Sequence, residues 1–169
     1  KTLYNHPSII SYTIFNEGWG QFNSDMMYDR LKALDPTRLY DSTSGWFAQR
    51  KSDFDSEHIY FRLKKLKPKV RPLFVTECGG YSYNLNGQNK VYGYGKCASS
   101  EELTARIEKL YRRMIIPAIP TGCCGCIYTQ LSDIEDEING LYSYDRKTCK
   151  VSKERMRTIA QALNKTIEA

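Results

Sequence analysis

The 169-residue chain is long enough for one domain with a real hydrophobic core, and its 41% hydrophobic and 26% charged content is that of an ordinary globular protein. No run approaches the roughly 20 apolar residues that span a bilayer, so no membrane partner is expected. The net charge of +6 gathers in Arg62, Lys64, Lys65, Lys67, Lys69 and Arg71. That run stops where an apolar strand begins, so it reads as the solvated face and end of a surface helix and not as a nucleic-acid contact.

Short apolar runs alternate with helical patterns along the whole chain. Residues 1–7 carry no apolar core followed by a small-residue cleavage site, and the chain lacks an initiator methionine; an excised segment is the expectation. Residues 8–15 are predicted as a strand. Ser24 is placed as the N-cap of a helix over 25–34, in which Met27, Leu31 and Leu34 share one face. Asp35-Pro36 stops that helix. A second strand over 38–41 leads into the polar loop Ser42-Thr43-Ser44-Gly45-Trp46. A third over 58–61 precedes the basic, helix-like stretch, and a fourth covers 73–76. Residues 79–98 form a long loop rich in Gly, Tyr and Asn, a length uncommon unless functional. Ser99 and Glu102 make a capping box for a helix over 100–116. A fifth strand over 124–130 is followed by the acidic loop 133–137, and an amphipathic helix over 152–167 ends the chain.

Six cysteines stand at 78, 97, 123, 124, 126 and 149, without CxxC pairs at zinc-ribbon spacing. Cys123, Cys124 and Cys126 adjoin Ile127-Tyr128 and read as strand and core residues. The usage suits a reducing compartment, which favours a cytoplasmic location. Asp133, Glu135, Asp136 and Glu137 could be taken for a divalent-metal site, but they lack EF-hand spacing and read as a solvated loop.

Strands that are all apolar and alternate with helices predict a parallel sheet covered by helices. The polar and glycine-rich residues collect after the strands, as in a (β/α) barrel whose active site is built from loops at the strands' C-terminal ends. A doubly wound open sheet is the alternative, without a GxGxxG or P-loop to favour it. Two glutamates stand out in that frame. Glu17 follows the first strand and Glu77 ends the fourth. Paired carboxylates at strand exits fit glycoside hydrolysis, in which one protonates the leaving oxygen and the other acts from the opposite side of the anomeric carbon.

Asn16-Glu17 after an Ile/Tyr/Phe strand, preceded by Asn5-His6-Pro7-Ser8-Ile9, resembles the acid/base segment of glycoside hydrolase family 2, the β-galactosidase and β-glucuronidase group with (β/α)8 TIM barrels. Residues 41–46 resemble the loop after that family's fifth strand, 57–60 its sixth strand, 71–80 its nucleophile strand and 128–141 the end of strand eight. The resemblance implies only the last five β/α units of the barrel, strands 4 to 8, with the first three strands and the family's β-sandwich domains absent. It makes Glu17 the general acid/base and Glu77 the nucleophile of a retaining mechanism. Asn16 would bond the sugar's 2-hydroxyl and Tyr60 would orient the nucleophile. Trp19, Trp46 and Tyr128 would wall the sugar, while His58 and Gln130 would touch its hydroxyls. It places no metal and no cofactor on any residue. The Asn-x-Lys motif of glucuronide-cleaving relatives is missing between Ser132 and Lys147, which favours a neutral sugar, galactose first. The expected partners are a carbohydrate substrate and either the missing barrel half or a second copy covering the open sheet edges. A catalytically silent fragment with structural or weak sugar-binding capacity is the alternative function.

Overall fold

The computed structural model describes residues 2–85, 87 and 91–168. Strands β1 (Ser11–Asn16) and β2 (Leu39–Ser44) form a parallel pair, joined by helix α1 (Ser24–Leu34). A crossover of this kind is what two parallel neighbours require. Strands β3 (Asp55–Ile59), β4 (Leu73–Gly79) and β7 (Cys123–Thr129) form a three-stranded parallel sheet with β4 in its centre. The two sheets meet where Gly45 N–H donates to Ser56 Oγ at 3.1 Å and Asp41 bridges Ser52. A parallel pair and a parallel three-stranded sheet thus follow one another as in part of a TIM barrel, and no closed barrel forms among the described residues.

One core lies between β4 and the helix layer. Helix α2 (Ser100–Leu110) continues through a π-type turn (Tyr111–Ile115) into the single turn α3 (Ile116–Ala118). This run lays Leu110, Met114, Ile115 and Ala118 against Leu73, Val75 and Cys78. The register with β7 shifts between Val75 and Cys78, which lets both residues face the helices. Helix α4 (Lys153–Ile167), capped by Ser152, packs Ile159 with Leu103 and Ile107.

Several sequence expectations are corrected. The N-cap of α1 is Asn23 in the left-handed region, while Ser24 lies inside the helix and donates to Gln21. β2 runs through Ser44, so Ser42 and Thr43 are buried strand residues and not loop. β3 begins at Asp55 and ends before Tyr60. The basic stretch after it is not helical: Leu66 is buried, and the cations around it stand out from an extended segment. The loop 79–98 contains two short parallel strands, β5 (Tyr81–Tyr83) and β6 (Gly95–Cys97); its residues 86 and 88–90 lie outside the described residues. The capping box forms with one change. Ser99 accepts from Glu102 N–H, and the Glu102 carboxylate takes the N–H of Ala98, not of Ser99. Cys124 is exposed, whereas Cys78, Cys97 and Cys123 are buried, and all six thiols are free. Asp133 is no solvated acid. It holds Lys150 Nζ at 2.7 and 2.9 Å, and that ammonium also donates to the Ile138 carbonyl at 2.8 Å.

Candidate active site

Glu17 follows β1 directly, its N–H bonded to the Ser44 carbonyl at 3.0 Å. Its φ of +49° is left-handed, a region that a side chain with a Cβ rarely occupies, and such outliers concentrate at functional sites. Glu77 lies in β4, paired in register with His58 of β3. Because successive strand side chains point to opposite faces, His58 turns away from the core while Ile59 enters it.

The imidazole of His58 is fully enclosed, and its Nδ1 lies 2.5 Å from Glu17 Oε1 and 3.3 Å from Glu77 Oε2. The two glutamates keep partial exposure, 19% and 30% of their side chains, so the histidine is the floor and the carboxylates are the accessible groups. Gly45 makes room for this ring. Its φ is +68°, and a Cβ there would lie 2.3 Å from the imidazole. The Tyr60 hydroxyl donates to Glu77 Oε2 and lies 3.2 Å from Thr129 Oγ1. Burial, followed by the hydrogen bond to Glu77, pushes the Tyr60 hydroxyl well above its ordinary pKa, so it remains a proton donor at neutral pH. Ser44 Oγ donates to Asn16 Oδ1 at 2.7 Å, fixing the amide beside Glu17. Trp46 approaches the His58 and Tyr60 rings, with centroids at 6.3 and 6.5 Å.

The remaining expected site residues lie elsewhere. Trp19 stands in solvent at 88% exposure, outside this ring cluster. Tyr128 pairs with Cys78 on the helix-facing side of the sheet, where it packs with both core clusters and its hydroxyl is buried without a partner. It is a packing residue and not a sugar wall; Thr129, on the other face, is the β7 residue that reaches Tyr60. The Gln130 amide is spent on Glu137 and Asn139, at 3.1 and 2.8 Å.

Two aromatic rings were not anticipated. Tyr94 stacks on Tyr60 with centroids 3.9 Å apart, and Phe61 stacks on Trp46 at 6.2 Å. Tyr92 and Phe61 add edges to Tyr94, so a continuous aromatic shelf borders the glutamates. The length of the Tyr-rich loop was the one signal pointing to Tyr94.

Among the described residues, Glu17, His58 and Glu77 are the one group of three metal-ligating side chains, their donor atoms within 4.8 Å of one another. A zinc ion needs its donors at about 2.0–2.2 Å and would have to displace the bonds that His58 and Tyr60 already make. As it stands, the cluster brings together two carboxylates facing one space, one tyrosine donor and one imidazole between them.

The family described as glycosyl hydrolases family 2, TIM barrel domain, matches residues 1–79. A solved structure reported as an exo-beta-agarase matches with a TM-score of 0.59 and 14% identity, over 86% of this chain and 22% of that one. The chain thus spans about a fifth of that protein's length, and at this identity the likeness carries the fold alone. Comparison with curated proteins gives no match. Residues 1–79 are thus similar to the TIM barrel domain of glycosyl hydrolases family 2, and the fold of the chain is that of a partial TIM barrel.

Proposed function

We propose that the chain carries the acid/base and the nucleophile of a retaining exo-β-glycosidase of β-galactosidase type. The observation that carries the reading is the meeting of Glu17, which follows β1, and Glu77, in β4 of the other sheet, around His58 Nδ1. Donor atoms within 4.8 Å of one another are compatible with the carboxyl spacing of about 5–5.5 Å that double displacement uses.

In this mechanism Glu77 attacks the anomeric carbon while Glu17 gives its proton to the leaving oxygen. Glu17, now a carboxylate, then takes a proton from water, which displaces Glu77 from the sugar. In this reading Tyr60 holds the Glu77 carboxylate in line, and Asn16, fixed by Ser44, would bond the 2-hydroxyl. Trp46 and the shelf beside it offer apolar faces to the sugar rings.

A panel of nitrophenyl β-glycosides tests the reading. Release of nitrophenol by the complete enzyme, nearly abolished in Glu77→Gln, is the expected result; full activity in that variant ends the assignment. The second reading, a silent barrel fragment, draws on the 22% coverage of the solved neighbour. Sugar binding by this chain without turnover would favour it.

A further inference from the structure

A cavity of about 880 Å³ lies away from the glutamates, between the extended segment 61–66 and the helical run from α2 to α3. Its volume falls in the range of about 300–1,000 Å³ typical of small-molecule sites. Leu63, Leu66, Met114 and Ala118 supply an apolar floor. Arg62, Lys65, Lys109 and Arg113 also line it, and no carboxylate does.

The cations fall into two groups. Lys64 and Arg106 are neutralised by Glu57 and Glu102, each at 2.8 Å. Arg62, Lys65, Lys109 and Arg113 have no ion-pair partner among the described residues. Exposed cations alone are an ordinary solvated surface. Four unpaired ones around an apolar concavity are a different arrangement, because like charges held together repel until an anion joins them.

We propose that this cavity binds an amphiphilic anion, a small molecule with an alkyl or aryl body and a carboxylate or sulfate head. The floor takes the body out of water, and the cations take the head. A bare inorganic anion would leave the floor unused. A polysaccharide would find a cavity where it needs an open aromatic face. The site is separate from the glutamates but adjoins them through Phe61, which lines the cavity and stacks on Trp46.

The test is calorimetric titration of the chain with sodium decanoate below its micelle concentration. Saturable one-to-one binding is expected, weakened at least about tenfold in Lys109→Ala/Arg113→Ala, the loss of a charged hydrogen bond being worth that much. Both residues are exposed, so the variant keeps its fold, which circular dichroism verifies. Arg30→Ala/Lys165→Ala removes equal charge from exposed positions outside the cavity lining and should leave the affinity unchanged. Equal binding of decan-1-ol or of inorganic sulfate, equal weakening in both double variants, or decanoate binding that Lys109→Ala/Arg113→Ala does not weaken would each overturn the proposal. So would binding of a sulfated galactan with none of decanoate.

Discussion

His58 Nδ1 lies 2.5 Å from Glu17 Oε1, although His58 lies in β3 and Glu17 follows β1, a strand of the other sheet. The same nitrogen reaches Glu77 at 3.3 Å, so one enclosed imidazole sets the positions of both carboxylates. His58→Ala is expected to lower kcat of the complete enzyme on a nitrophenyl β-galactoside by about 10²-fold, the lower range for loss of a positioned proton-exchanging group. KM should change less, because the ring is buried beneath the carboxylates and does not face the sugar. A variant that only melts earlier, with kcat intact, would assign the ring to packing.

A second polar cluster anchors α1 to β2. Asp53 accepts from Lys32 Nζ at 2.8 Å, from the Tyr28 hydroxyl at 2.7 Å and from Tyr40 N–H at 2.7 Å. Burial works against its charge, but these donors win and hold its pKa below the ordinary value of 3.8. Tyr28 is correspondingly raised to about 12, by burial first and then by its bond to Asp53. With the folded pKa of Asp53 depressed, the unfolded chain binds more protons in the window just below pH 3.8. The stabilisation is therefore complete above that pH and is lost as pH falls through the folded value. Asp53→Asn should cost about 1–3 kcal/mol at pH 7, a difference that shrinks toward zero in urea titrations near pH 2–3.

The two glutamates could be read in the sequence because their chemistry is local: a carboxylate after an apolar strand needs only the strand to be recognised. The parallel order of the five strands followed from the same alternation of strands and helices. The face that Tyr128 takes depends on a register shift in the sheet, which periodicity does not encode. Tyr94 and Phe61 were missed for a related reason. Their partners, Tyr60 and Trp46, come from other segments, and stacking between segments is set by tertiary packing. Asp133 looked solvated beside Glu135 and Asp136 because its partner, Lys150, lies well beyond the acidic loop.

That pair is itself a test of packing. Lys150 is enclosed, with its ammonium held by Asp133 and a carbonyl, and burial lowers its pKa despite the carboxylate. Asp133→Asn leaves the ammonium without its counter-charge and should cost about 3–5 kcal/mol in urea denaturation. Lys150→Met/Asp133→Leu removes both charges together and should cost much less. Equal losses in the two variants would show that the pair is not desolvated.

The sheet edges make a prediction about the isolated chain. Among the described residues, β1 pairs with β2 alone and β7 with β4 alone, so each keeps one open edge. Ile127 on β7 is 52% exposed, and beside β1 a cavity of about 810 Å³ is lined by Leu3, Tyr4, Tyr12, Ile14 and Leu34. An exposed edge with unpaired backbone groups and apolar side chains is a template for pairing with another chain. Sedimentation velocity should accordingly show a mass that grows with concentration. Ile127→Lys, which charges one edge without touching the glutamates, should shift that growth to higher concentration. A monomer at every concentration would show that these open edges do not drive association.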